Sequence, residues 1–227
     1  MPIYLALVLL SGISDAPSII GPTGHSRYFF TLYAGQSVPF KPRTAHTWAT
    51  FAKIGMNAER SVTAESVTIS WLPATGIVKP LRLRSEPGKN FTLEETFAKA
   101  AADHAQVSVW GPFEIDAVRY ERAVAQAQLL ESGAVRYRVF DTPLFNPSLA
   151  HCVHAVTHAD PVLREALQPV IQVGEPGTSR LASRYIASGA FIGGAVTHDW
   201  VLSLIGVDRY PVIHREPGER IPRRWVR

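Results

Sequence analysis

The sequence predicts an α+β fold in which an antiparallel sheet packs against helices. Residues 28–54 have a strand-like pattern, aromatic and β-branched in its first part and alternating in its last part. From Thr92 onward the sequence contains helix-capping residues and apolar residues at helical spacing. Hydrophobic residues make up 46% of the chain and charged residues 19%, as in a folded globular domain.

The predicted strands lie early in the chain. Tyr28–Tyr33, His46–Phe51 and Val67–Leu72 each carry the strand pattern, and the last one is stopped by Pro73. Turn residues fill 35–43 between the first two. We expect these strands to be antiparallel neighbours.

Two helices have clear start signals. Thr92 and Glu95 form a capping box that opens a helix through Ala102. A second helix is predicted from Asp116 to Ser132, where Gly133 provides the C-cap. Shorter strands are predicted at Val107–Trp110 and Val135–Phe140.

The 227 residues suit a single catalytic-type domain, residues 1–227, with a C-terminal helical extension over 179–227. The first 16 residues resemble a short signal peptide without its basic start, and a buried strand over Ile3–Leu10 is the alternative. The apolar run is far shorter than the roughly 20 residues of a membrane span. Localisation therefore stays open between the cytoplasm and export through a short signal-like N-terminus.

The formal net charge is +4, and much of the basic excess lies near the C-terminus. No helical basic stripe or nucleic-acid-binding motif accompanies it, so nucleic acid is not an expected partner. Contact with an anionic membrane surface stays open. The basic residues near the end are Arg215, Arg220, Arg223, Arg224 and Arg227.

Cys152 is the only cysteine and lies in the segment His-Cys-Val-His-Ala-Val-Thr-His, residues 151–158. It has no partner for an intrachain disulfide, so it is either a small apolar filler or a nucleophile. Ser148 is a suitable N-cap for a helix through Val156, which places Cys152 in the first turn. There the backbone NH groups favour the reactive thiolate.

The histidines of this segment offer a competing metal site. His151, His154 and His158 have the spacing i, i+3 and i+7 and share one helix face. The three span about 10 Å along the axis, too far to reach one ion together, although His151 and His154 are close enough.

A thiol nucleophile needs a base, and the neighbouring histidines point away from Cys152 on a helix. We expect His46 to be that base, because it begins a strand on which it shares a face with Trp48 and Thr50. The alternative is a histidine exposed to water at a strand end.

The run Asn146-Pro-Ser-Leu-Ala-His-Cys-Val-His-Ala-Val-Thr157 resembles the nucleophile box of the circularly permuted NlpC-like papain-fold enzymes, which include the lecithin retinol acyltransferase group. The resemblance implies a permuted papain-like fold, in which a catalytic histidine on an early strand precedes the nucleophilic cysteine. His151 stands where the family pattern prefers asparagine.

The resemblance also implies roles for three residues. Cys152 would be the nucleophile, His46 the general base and Ser70 the polar group that orients the imidazole. The protein would then be a cysteine hydrolase or acyltransferase that needs no cofactor and acts on an amide, ester or thioester of a small-molecule, peptide or lipid substrate. A distance of about 3 to 4 Å between the Cys152 sulfur and the His46 ring is expected.

Two alternatives from other classes remain. The first is a non-catalytic ligand-binding module on the same scaffold, with an inert thiol and aromatic residues around the cleft. The second is a metal-binding protein that uses His151 and His154. The aromatic candidates are Trp48, Trp71, Trp110 and Phe113.

Overall fold

The computed structural model describes residues 26–56, 61–140, 147–165, 173–193 and 197–216, together with Glu219. It contains both sheet and helix, and so confirms the α+β prediction. Within the described residues the strands are β1 (Arg27–Ser37), β2 (His46–Met56), β3 (Val62–Ile69), β4 (Trp71–Pro73), β5 (Glu86–Asn90), β6 (Ala105–Ile115), β7 (Arg136–Tyr137), β8 (Leu149–Ala150) and β9 (Val212–His214). The helices are α1 (Leu93–Ala102), α2 (Ala117–Glu131), α3 (Cys152–Thr157), α4 (Pro161–Glu165), α5 (Glu175–Ala187) and α6 (Trp200–Leu204).

The main sheet has the strand order β3-β2-β1-β6-β9. Its first four strands are antiparallel, which confirms the prediction for β1, β2 and β3, whereas β9 runs parallel to β6. Gly35 of β1 pairs with His46 of β2, and Ala49 of β2 pairs with Ile69 of β3. The start of β2 and the end of β3 therefore lie side by side at one end of the sheet.

Helices cover both faces of this sheet, and the alternation of side chains decides which residue meets which helix. Ala49 and Phe51 belong to the larger apolar cluster, which also contains the inward residues of α2, α3 and α5. Trp48 belongs to a second cluster with Phe97 and Ala100 of α1. We call these two surfaces of the sheet the α3 face and the α1 face.

A second, smaller sheet has the order β4-β5-β7-β8. Trp71 joins its two ends, because its Nε1 donates to the carbonyl oxygen of Ala150 at 3.1 Å and its ring covers Gly88. The strand predicted over Val135–Phe140 is reduced to Arg136–Tyr137.

The caps of the first two helices match the sequence prediction. Thr92 and Glu95 form both hydrogen bonds of a capping box at the start of α1. Asp116 caps α2 by accepting from the backbone NH of Arg119 at 2.8 Å. Gly133 follows α2 with a φ of +79°, a conformation that glycine adopts without strain.

The start of α3 differs from the prediction. The N-cap is His151, not Ser148, because Leu149–Ala150 is taken into the smaller sheet as β8. Cys152 is therefore the first residue of a helix of six residues.

The described residues of the last third of the chain contribute to the core and include a strand as well as helices. Helix α5 begins at Glu175, earlier than the predicted Ser179, because Pro176 is compatible with the first turn of a helix. Its residues Leu181 and Tyr185 join the larger apolar cluster, and β9 adds a strand to the main sheet. The signal-like segment 1–16 and the arginines beyond residue 219 lie outside the described residues.

Candidate functional site: a buried histidine at a basic cleft

His46 is the first residue of β2, and its side chain lies on the α1 face of the sheet. Its ring stacks on Trp48 with 5.3 Å between the ring centroids, and the residue is 7% exposed. A strand-end histidine that is exposed to water, one of the sequence alternatives, is therefore not what the structure contains.

The imidazole of His46 is the first member of a chain of hydrogen bonds that runs through two hydroxyl groups to one backbone carbonyl. Nε2 of His46 lies 2.9 Å from Oγ of Ser70, and that oxygen lies 2.7 Å from Oγ1 of Thr96. Oγ1 of Thr96 lies 2.7 Å from the carbonyl oxygen of Thr92. The pairing of His46 with Ser70, predicted from the sequence, is present, and Thr96 is an addition that the sequence did not indicate.

Thr96 is the donor in both of its contacts within this chain. A hydroxyl carries a single proton, and Oγ1 of Thr96 shares it between Oγ of Ser70 and the carbonyl oxygen of Thr92. The contact between Ser70 and His46 fits two proton arrangements, one in which Nε2–H donates to Ser70 and one in which the Ser70 hydroxyl donates to Nε2.

Asn90 of β5 holds Ser70 in place. Its side-chain oxygen accepts from the backbone NH of Ser70 at 2.8 Å, and its amide donates to the carbonyl oxygen of Thr68 at 2.9 Å. The backbone NH of Phe91 donates to the Ser70 carbonyl at 2.9 Å. Hydrogen bonds to its NH and to its carbonyl thus fix the backbone of Ser70, whose hydroxyl contacts His46.

The other ring nitrogen of His46, Nδ1, is buried. Among the residues that the structure describes, none donates a hydrogen bond to Nδ1. Burial lowers the pKa of His46 to about 3, and the positive charge of Lys99 acts in the same direction. The imidazole is therefore neutral near pH 7, and in the tautomer protonated at Nε2 its Nδ1 can accept a hydrogen bond.

His46 lines a narrow cleft between the start of β2 and helix α1. The cleft has a cavity volume of about 10 Å³, roughly the room that one water molecule needs, and Trp48, Thr96 and Lys99 also form its walls. Of the four aromatic candidates for a ligand cleft, Trp48 lines this one, whereas the others lie in the larger apolar cluster. Those others are Trp71, Trp110 and Phe113.

The cleft continues into an outer pocket whose rim is basic. Arg43, Val78 and Lys99 belong to both, and Lys41 and His104 line the outer pocket. Lys99 is paired with Asp103 at 2.9 Å. In contrast, the exposed side chains of Lys41 and Arg43 make no ion pair with a carboxylate in the described parts of the chain.

Cys152 lies on the other side of the sheet. It is 2% exposed and belongs to the apolar cluster on the α3 face, together with Ala49 and Phe51 of β2. His46 has the opposite strand parity and points toward α1. The structure thus brings His46 and Ser70 together and places Cys152 across the sheet from them.

The histidines around Cys152 stack on one another, as their spacing predicts. The ring centroids of His151 and His154 are 4.1 Å apart, and those of His154 and His158 are 6.0 Å apart. Nδ1 of His151 accepts from the backbone NH of Val153 at 3.1 Å as the cap of α3, and burial holds the pKa of His151 well below its usual range. The described residues contain no group of three or more side chains placed to hold a metal ion.

Sequence reasoning missed one buried charge pair, Glu175 with Arg215. Nε of Arg215 lies 3.0 Å from Oε1 of Glu175, whose side chain is fully buried. Burial raises the pKa of Glu175, while Ser108 and Arg215 oppose that shift. The pair joins the start of α5 to the segment after β9, so its role is structural. The only sequence signal was an acidic residue beside Pro176 at a helix start.

The fold and the site define an α+β protein with an oriented, neutral histidine at the base of a basic cleft. No family model, curated protein or solved structure matches the chain. None of the described helices has the length and apolar character that a membrane span requires.

Proposed function

We propose that the protein binds a small anionic molecule in the outer pocket, and that a hydroxyl of this molecule enters the cleft between β2 and α1, where His46 accepts a hydrogen bond from it. The observation that carries this proposal is the buried Nδ1 of His46, which has no hydrogen-bond donor among the described residues. A buried polar atom without a partner costs about 1 to 3 kcal/mol, and a ligand that donates a proton removes this cost.

The charge around the cleft supports an anionic ligand. Lys41 and Arg43 lie at the rim of the outer pocket, and Lys99 reaches both the pocket and the cleft. Asp103 is the acidic residue of the two linings, and it is paired with Lys99. An oxyanion held by the rim cations would place its own hydroxyl in the cleft toward His46.

Inorganic phosphate and sulfate form a matched pair of probes for this proposal. In slightly acidic solution dihydrogen phosphate is an oxyanion with proton donors, whereas sulfate has a similar shape and no donor. Titration followed by calorimetry should show that phosphate binds and that sulfate binds at least about tenfold more weakly, the cost of one charge-assisted hydrogen bond.

Single substitutions test which residues form the binding site. His46→Gln should remove the preference for phosphate over sulfate, and Arg43→Gln should weaken the binding of both. Arg209→Gln is the matched control, because Arg209 is exposed and lines a different pocket. Absence of phosphate binding, or equal phosphate binding by the wild type and His46→Gln, would overturn the proposal.

A second proposal keeps the chemistry implied by the family resemblance, a hydrolase or acyltransferase that depends on Cys152. The position of Cys152 as the first residue of α3 favours it. The sulfur would attack a carbonyl carbon to form a thioester, the leaving group would take up a proton, and water or another acceptor would then release the acyl group. Because His46 lies across the sheet, the proton acceptor in this proposal is a group on the α3 face.

Labelling with an electrophilic acyl probe tests the thiol proposal separately. It predicts that Cys152→Ala abolishes labelling and that His46→Gln leaves it within about twofold of the wild type. Equal labelling of Cys152→Ala and the wild type would rule it out. A strong loss of labelling in His46→Gln would instead support the original pairing of Cys152 with His46, through a rearrangement of the sheet.

A further inference from the structure

The connection between β4 and β5, residues 74–85, exposes an unusual number of large apolar side chains. Leu81 is 91% exposed, Leu83 67% and Ile77 62%. Single exposed apolar residues are common on protein surfaces, but a group of them within one loop marks an interaction surface. We call this segment the leucine loop.

Cations alternate with these apolar residues, and the leucine loop has no acidic residue. Lys79, Arg82 and Arg84 lie between or beside Ile77, Leu81 and Leu83 in the sequence Ile-Val-Lys-Pro-Leu-Arg-Leu-Arg, residues 77–84. The nearest carboxylate along the chain, Glu86, is 8% exposed and lies 3.4 Å from Arg82. The exposed part of the leucine loop is therefore both apolar and positively charged.

The base of the leucine loop is anchored, while its apolar residues project outward. Nε of Arg136 donates to Oγ of Ser85 at 3.2 Å, and the backbone NH of Gly76 donates to the carbonyl oxygen of Pro73 at 2.7 Å. Arg82 is tied to Glu86 by the ion pair. The leucine loop thus has fixed ends and an exposed middle section.

We propose that the leucine loop docks the protein on an anionic membrane surface. The leucines would enter the boundary between head groups and acyl chains, and the cations would contact lipid phosphates. A bilayer interface can take up separate apolar side chains with cations between them, and it needs no complementary groove. A protein partner would instead require a complementary packed surface. The basic rim residues Lys41 and Arg43 lie on the same side, because Ile77 shares the outer pocket with them.

This surface is independent of the ligand proposed for the cleft, because it rests on other residues. Docking by the leucine loop would also turn the opening of the cleft toward the membrane, because Ile77 and Val78 line the outer pocket through which the cleft opens. A protein docked by the leucine loop would hold that pocket close to the head groups.

Sedimentation of the full chain with lipid vesicles tests the proposal. The protein should bind vesicles of phosphatidylcholine that contain phosphatidylserine and should not bind vesicles of phosphatidylcholine alone. The double variant L81S/L83S should lower the binding by roughly tenfold or more. The double variant K79Q/R84Q should lower it by about fivefold for each cation removed and should weaken its dependence on salt.

The matched control is V118S/L129S, which removes two exposed apolar residues of α2. It should bind vesicles like the wild type, and thermal unfolding should show that all variants are folded. Binding of L81S/L83S equal to that of the wild type would overturn the proposal. So would a lack of vesicle binding by the wild type together with a dimer that L81S/L83S abolishes, since the occupant would then be a second copy.

Discussion

Nε2 of His46 lies 2.9 Å from Oγ of Ser70, although 24 positions separate the two residues in the sequence. The contact arises because β3 runs antiparallel to β2, so that its end returns to the start of β2. Helix α1 then adds Thr96 to the same group, since its capping box fixes where the helix begins. These contacts hold the imidazole at the base of the cleft.

The first prediction concerns pH and stability. The pKa of His46 falls from about 6.5 in the unfolded chain to about 3 in the folded protein, so the unfolded state binds a proton that the folded state does not. Stability from this group is therefore complete above about pH 6.5 and is lost as the pH falls toward 3, by up to roughly 1.4 kcal/mol per pH unit.

Replacement by glutamine isolates this contribution, because the Gln amide can still donate to Ser70. Urea unfolding of the wild type and His46→Gln at several pH values should show that the variant loses less stability on acidification. His151 also has a lowered pKa, so the difference between the two proteins is the relevant quantity. Parallel pH curves would contradict the assignment.

A second prediction concerns the hydroxyl of Thr96. Thr96→Val removes the hydroxyl that donates to Oγ of Ser70 and should destabilise the protein by about 1 to 3 kcal/mol. The nitrogen NMR shifts of His46 should change as well, because the same Ser70 oxygen contacts Nε2. Thr63→Val on β3 is the control, and nitrogen NMR shifts of His46 in that variant should match the wild type. Unchanged His46 shifts in Thr96→Val would contradict the coupling of Thr96 to the imidazole through Ser70.

A third prediction concerns the buried pair of Glu175 and Arg215. Arg215→Met leaves a buried carboxylate without its cation and should cost about 3 to 5 kcal/mol near neutral pH. The double variant E175Q/R215M should recover much of this loss in urea unfolding, because no buried charge is left unpaired. If the double variant were no more stable than Arg215→Met alone, the loss would come from something other than the charge on Glu175.

A fourth prediction concerns Gly88. An added Cβ at this position would lie 2.0 Å from Cζ2 of Trp71, well inside contact distance. Gly88→Ala should therefore lower stability by about 1 to 3 kcal/mol, seen as a lower midpoint in thermal unfolding. Combination with Trp71→Phe should restore part of the loss of Gly88→Ala, because the smaller ring lacks the clashing atoms. A midpoint equal to that of the wild type would contradict the packing.

Much of the fold followed from local signals. The strand pattern predicted β1 and β2, and the capping box of Thr92 and Glu95 predicted the start of α1. Such signals depend on neighbours within a few residues, which is why they are readable from sequence. The third predicted strand, Val67–Leu72, is divided between the end of β3 and the start of β4. Ser148 was misread as a cap because the pairing of β8 with β7, a contact between distant residues, takes up Leu149 and Ala150.

The candidate site was predictable in part for the same reason. Ser70 was chosen because the family resemblance implies an orienting group on the strand after that of His46, and the antiparallel pairing of β2 with β3 brings the two residues together. Strand parity indicates which residues share a face, but it does not say which helix covers that face. Cys152 is buried against Ala49, and His46 is buried against α1. Both arrangements depend on the packing of the whole chain and could not be predicted from neighbouring residues.

The most direct test of the account is the nitrogen NMR spectrum of the His46 imidazole across a range of pH. Hydrogen bonding of a ligand to Nδ1 requires a neutral ring protonated at Nε2, and the folded pKa of about 3 predicts no titration between about pH 8 and pH 4.5. A ring protonated at Nδ1, or a titration midpoint near the ordinary value of about 6.5, would contradict it.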